Sequence, residues 1–255
     1  HPADPMAYLA LTGDGTRLLG ASYHLGYGTA WLTDDLARPT SRVDHPNVHS
    51  VAVTADGRFA YFVSLSADLV SCCHLDADGA LTEFDRAGAT AGSGPRHLVL
   101  DAAEENVYVL TEFSGEALHY RRDADGRLTF VGATTAHAGG TLRHSRFGAD
   151  PRAEHLIWGA DLHLSPDGTT LYCSERSEST IATLPVRPDG TLAPLTSLTE
   201  VEAQPRGFGV SADGRLIVVG ERSTTASLYV AEASGLERQA QVETGRGANW
   251  VRTVG

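Results

Sequence analysis

Arginine, histidine and carboxylate residues return at matching places along this chain. His49, the pair Arg96-His97, Asp161 with His163, and Arg206 each stand just before or at the start of an apolar, strand-like segment. Glu112, Glu175-Arg176 and Glu221-Arg222 each stand just after a second such segment. A guanidinium forks onto carboxylate or phosphate oxygens, and a Glu or His beside it can take a proton from water or from a bound molecule. Taken singly, each residue also has a structural use. Arg beside Glu can form an ion pair between sheets, and His after Pro-Arg can bond a backbone carbonyl. Taken together, like types in register point to a site for a small polar anion.

What must position these residues is a repeat. An apolar strand, a turn and a second apolar strand occur as Tyr8–Ala21, His49–Val63, His97–Thr111, Leu162–Ser174 and Gly207–Gly220. Gly15, Gly57, Glu104-Glu105, Gly168 and Gly214 occupy equivalent turn positions. Each copy is expected to carry a second hairpin, with strands placed for four of them at Leu69–Leu75 and Leu81–Phe84, Leu118–Arg122 and Leu128–Val131, Ile181–Val186 and Leu192–Leu195, and Ser227–Ala231 and Leu236–Val242. Asp-Gly and similar turns between them supply the positive φ angles of tight hairpins. A period of roughly forty to fifty residues with short strands and Asp-Gly turns is the signature of propeller blades. The expected fold is all-β, a propeller of four-stranded antiparallel blades with about five blades present. In that topology the entry to strand one and the exit from strand two share a face, so the charged residues are expected to ring one mouth of a central channel. Residues 133–158, rich in Gly, His and Arg, read as one surface insertion.

Composition narrows the partners. The chain has 255 residues, 42% hydrophobic and 20% charged, enough for a core. Its formal net charge of -12 disfavours nucleic acid and anionic membranes. No apolar run approaches the roughly 18 residues of a membrane helix, and no basic-then-apolar leader opens the sequence, which begins at His1. There is no lysine, so Schiff-base and lysine-base chemistry are excluded, and any anion falls to Arg, His or backbone N–H groups. Cys72, Cys73 and Cys173 have no C-x-x-C spacing and read as reduced structural thiols, which leans towards a cytoplasmic location. His137, His144 and His155 lack ligand spacing and read as loop residues, and no metal or other cofactor is expected. There is no calcium loop, no G-x-S-x-G elbow and no Gly-rich turn leading into a helix. Exposed aromatics are expected at Tyr23, Tyr27 and Trp250, too few for a protein-docking face.

Gly94–Leu98 (GPRHL), Ala160–Gly168 (ADLHLSPDG), Gln204–Phe208 (QPRGF) and Gly245–Val251 (GRGANWV) closely resemble segments of the lactonase-family β-propellers, in the same order. Val48–Asp56 and Leu110–Phe113 also fit. That family includes bacterial 6-phosphogluconolactonases of the propeller type and fungal carboxymuconate cyclase. The resemblance runs from about His1 to Val251. It implies a seven-bladed propeller with its site in the axial funnel, so residues 1–255 are expected to be one domain lacking about two N-terminal blades. It implies catalytic roles for His49, Arg96, Glu112 and Arg176. His97, Asp161, His163, Glu175 and Arg206 are expected to contact substrate. The expected activity is hydrolysis of a sugar-acid lactone, 6-phosphogluconolactone first, in carbohydrate metabolism. A muconate-type cycloisomerase and a non-catalytic interaction module are the alternatives. Oligomeric state is left open.

Overall fold

The computed structural model describes residues 4–253; His1, where the resemblance begins, lies outside them. Among the described residues the chain is all-β, with five four-stranded antiparallel sheets, each a simple meander of consecutive strands. Their strands are β1 (Tyr8–Leu11) to β4 (Ser41–Asp44) through β2 (Arg17–Ser22) and β3 (Tyr27–Leu32); β5 (Val48–Val53), β6 (Phe59–Ser64), β7 (Leu69–Leu75) and β8 (Leu81–Gly88); β9 (Pro95–Leu100), β10 (Asn106–Thr111), β11 (Glu116–Arg122) and β12 (Leu128–Thr135); β13 (Gly159–Leu164), β14 (Thr170–Glu175), β15 (Thr180–Pro185) and β16 (Ser197–Glu200); and β17 (Phe208–Val210), β18 (Leu216–Val219), β19 (Thr225–Glu232) and β20 (Gly235–Glu243). All five expected strand-turn-strand copies are present. Among the described residues, no helix is long and apolar enough to cross a membrane.

The chain forms two compact units. The first holds residues up to Val109 together with Tyr120–Val131, and the second holds Leu110–His119 and the residues from Gly132 onwards. In the first, β6 (FAYFVS) is buried along its whole length. Phe62 lies in a core with Leu19, Val48, Val51 and Leu75. Gly28 on β3 lets that ring approach, since a Cβ there would stand 2.4 Å from Phe62. In the second unit, Tyr172, Ile181, Phe208, Leu216, Val218 and Tyr229 form the corresponding core.

Turn chemistry follows the sequence. Gly15, Gly57, Gly168 and Gly214 have φ between 69° and 83°, and Glu104 takes the same left-handed conformation at 55° where the third copy lacks glycine. Asp carboxylates brace these turns; Asp56 Oδ1, for example, accepts from Arg58 N and Thr54 Oγ1.

The second hairpin expected of every copy is β3–β4 in the first sheet. Three expectations need correction. The outer strand of the fourth sheet is Ser197–Glu200, and Leu192 makes only an isolated bridge to Val186; Pro194 lacks an N–H for a ladder at the expected strand. The insertion at residues 133–158 is not wholly superficial. It begins inside β12, carries the short helix α1 (Pro151–Glu154) and buries Leu142, Leu156 and Ile157. Tyr27 is buried, its ring covered by the Arg42 guanidinium at 3.9 Å and its hydroxyl donating to Asp4 at 2.6 Å.

Candidate active-site clusters

In the first unit, His49, Arg96 and His97 come together. His49 sits on β5 where the register with β6 shifts between Val48 and Ser50. Such a bulge re-aims one side chain off the regular pleat. Arg96 and His97 are consecutive on β9, and all three side chains are buried. The His49 and His97 rings lie 5.0 Å apart. Arg96 Nη1 is 3.1 Å from His97 Nε2. A guanidinium only donates, so His97 accepts at Nε2 and carries its proton at Nδ1 in this arrangement. Tyr8 packs edge-on against His97 and Tyr23 against His49. Ser50 Oγ donates to the Arg96 carbonyl at 2.7 Å, fixing the strand that bears the pair. The tyrosine walls were not anticipated from sequence.

In the second unit, Glu112 follows β10 and Arg176 follows β14. Arg176 Nη2 is 3.3 Å from Glu112 Oε2, with side-chain exposures of 2% and 17%. The guanidinium is therefore sheltered while the carboxylate keeps an open side. Trp158 completes the group: the Arg176 guanidinium stacks 3.7 Å from its ring, and its Nε1–H donates to Glu112 Oε1 at 3.3 Å. In the sequence Trp158 marks only the end of the insertion; no local spacing signals a stacking partner 18 residues away. Gly159 sets the approach of β13 to Glu112. Its N–H donates to the Glu112 carbonyl at 3.0 Å, and a Cβ would lie 2.2 Å from the Thr111 carbonyl oxygen.

Glu175 holds this arrangement from behind. Its buried carboxylate accepts the backbone N–H groups of Trp158 at 2.8 Å, Ser177 at 3.0 Å and Glu178 at 2.8 Å. The residue is only 1% exposed and its carboxylate is filled by three backbone donors, so Glu175 positions Trp158 and the Arg176 turn instead of presenting a face to a ligand. Asp161 lies in a second bulge, between Gly159 and Leu162 on β13. Its carboxylate accepts from Leu162 N at 3.0 Å and stands 3.2 Å from His163 Nε2. The His163 ring packs edge-on against Phe208. Arg206 pairs with Glu221 at 3.1 Å, and Gln204 donates to the other oxygen of that carboxylate at 2.6 Å. The adjacent Glu-Arg pairs of the sequence thus do not pair with each other: Glu112 takes Arg176, and Glu221 takes Arg206.

The remaining candidates are placed as follows. His137 and His144 are each bonded at Nδ1 by a backbone carbonyl, that of Ala138 and of Ser145 respectively. Among the described residues no group of three or more His, Cys, Asp or Glu could hold a metal ion. The cysteines are free and buried. Burial pushes the Cys72 thiol up to about 12 and Cys73 up to about 11, and raises Cys173 as well, so they are protonated and poor nucleophiles.

The architecture defines a chain of four-stranded propeller blades, with guanidinium, imidazole and carboxylate groups presented at strand ends. A model of the family described as "Lactonase, 7-bladed beta-propeller" matches residues 2–251, and the chain belongs to that family. It is 28% identical over 265 residues to a 6-phosphogluconolactonase of Enterobacter sp. (strain 638), across 98% of this chain and 74% of that protein. The periplasmic gluconolactonase of Pseudomonas aeruginosa superposes with a TM-score of 0.83 at 25% identity, covering 97% of this chain and 72% of that one. A Lactobacillus plantarum protein superposes with a TM-score of 0.86 at 24% identity, covering 99% and 75%, and supports the fold alone.

Proposed function

We propose that this protein hydrolyses a sugar-acid lactone, 6-phosphogluconolactone before its unphosphorylated counterpart, with water as nucleophile. The observation that carries the reading is the Glu112–Arg176–Trp158 group, in a chain of the lactonase family whose curated relative is a 6-phosphogluconolactonase. Opening a lactone needs a base to deprotonate water and a positive charge where the carbonyl oxygen becomes an oxyanion. The Glu112 carboxylate is partly open to solvent and suits the first task. The sheltered Arg176 guanidinium suits the second, because its hydrogen bonds are stronger where water is thinned. Trp158 holds the guanidinium plane. Arg96 is a second anion-binding candidate, and His49 is the alternative base. The scheme asks nothing of a metal ion, so a chelator leaves the rate unchanged.

Steady-state hydrolysis by wild type and by the Arg176→Ala, Glu112→Gln, Arg96→Ala and His49→Ala variants tests the assignment. Loss of one oxyanion donor typically costs about 10²–10³ in turnover, and loss of a general base about 10²–10⁴. A series in which all four variants hydrolyse the lactone like wild type refutes it.

A further inference from the structure

We propose that a pocket beside the Arg176 turn, walled by Arg152, His155, Ser177 and Arg222, binds the phosphate of a phosphorylated lactone. The inference rests on the lactone-hydrolase reading and deepens it, because it names the group that decides between phosphorylated and free sugar lactones. The cavity has a volume of about 430 Å³, within the roughly 300–1,000 Å³ of small-molecule sites. Three of its side chains carry or can carry positive charge in a chain whose formal net charge is -12.

Most basic side chains nearby are already engaged. Arg143 donates to the Glu154 carbonyl and Arg146 pairs with the Glu154 carboxylate, while Arg176 and Arg206 pair with Glu112 and Glu221. Among the described residues Arg152 and Arg222 stand in no salt bridge, yet both line this one cavity. The acidic residue there, Asp150, is exposed and caps α1: its Oδ1 accepts the backbone N–H groups of Arg152 and Ala153, and among the described residues it forms no salt bridge with either arginine. Two unneutralised guanidinium groups and an imidazole around a shared space suit a tetrahedral dianion, which takes several charge-assisted hydrogen bonds at once.

The pocket is also tied to the proposed catalytic group. Ser177 directly follows Arg176, and its hydroxyl donates to the Leu156 carbonyl at 2.6 Å, joining the His155 side of the pocket to the Arg176 turn. Arg222 directly follows Glu221, the partner of Arg206. A sugar lactone phosphorylated at its far end can thus set its ring and its phosphate against neighbouring parts of one unit.

The test compares kcat/KM for 6-phosphoglucono-δ-lactone and glucono-δ-lactone in wild type and in Arg152→Ala/Arg222→Ala. Both arginines are exposed, so the double variant is expected to fold. Wild type is expected to prefer the phosphorylated lactone. The double variant should lower that preference about 100-fold, from about tenfold per charge-assisted contact, mostly through KM. A wild type without the preference, or a double variant that keeps it, overturns the proposal. If wild type hydrolyses neither lactone, the hydrolase reading has failed and calorimetric titration with inorganic phosphate and with 6-phosphogluconate decides the pocket. Binding by wild type that the double variant weakens supports it, and absent or unaltered binding rejects it.

Discussion

Replacing Glu175 by alanine removes one acceptor from three backbone N–H groups at once: those of Trp158, Ser177 and Glu178. An unsatisfied buried donor costs about 1–3 kcal/mol. Here the three residues that own the donors are themselves half-buried, so water can reach some of the vacated positions. The lower end applies, giving about 3 kcal/mol for Glu175→Ala. Glu175→Gln keeps the shape. Its oxygen can still serve Trp158 and Ser177, but its amide nitrogen then faces the Glu178 donor. One bond is lost and two lose their charge assistance, for about 1–2 kcal/mol. Urea unfolding followed by tryptophan fluorescence should rank wild type above Gln above Ala by those margins, with little change in denaturant slope. Because this carboxylate fixes Trp158 and the Arg176 turn, the Gln variant should also lose turnover at temperatures where it is fully folded, in kcat more than in KM. An alanine variant within about 0.5 kcal/mol of wild type, a difference typical of an unremarkable surface change, refutes the reasoning.

Other consequences follow from the same geometry. Burial alone would raise the Glu83 carboxyl, but hydrogen bonds from Arg86, Ser71 and His45 outweigh it and hold the group down at about 2. A depressed folded value contributes stability above the unfolded value near 4.5 and loses it as pH falls towards 2. Glu83→Gln should therefore flatten the loss of stability between pH 4.5 and 2, seen in urea midpoints across that range; parallel profiles argue against it. The three cysteines should resist a thiol reagent at pH 8 in native protein and all react after urea is added, since burial keeps them protonated; rapid native labelling contradicts this. Gly159→Ala should cost about 1–3 kcal/mol by overpacking against the Thr111 carbonyl, read as a lower thermal midpoint; an unchanged midpoint shows that β13 can shift.

How much of this was legible depends on how local each signal is. The paired strands were readable because alternating apolar residues and Asp-Gly turns are short-range features. Even Glu104, left-handed where other copies have glycine, was found from its place in the repeat. The β3–β4 hairpin is expected from the repeat, but its strands are hard to place because Gly28 weakens the strand pattern; the reason for that glycine is Phe62, a contact made across sheets. Pro194 displaced the outer strand of the fourth sheet to residues 197–200. In the site, residue types were visible but pairings were not. Glu221 stands next to Arg222 yet binds Arg206, and Glu175 stands next to Arg176 yet serves backbone donors. The two bulges that carry His49 and Asp161 leave no mark in composition, because they are register shifts set by the neighbouring strand.

The proposal that Glu112 and Arg176 work as one unit is tested most directly by a double-mutant cycle in lactone hydrolysis. kcat/KM is measured for wild type, Glu112→Gln, Arg176→Ala and the double variant, by proton release at fixed pH. Groups 3.3 Å apart that serve one transition state should be strongly non-additive. Each single variant should fall about 100-fold or more, and the double variant should fall no more than about tenfold below the weaker single one. Losses that simply multiply, or singles that keep wild-type rates, contradict the account.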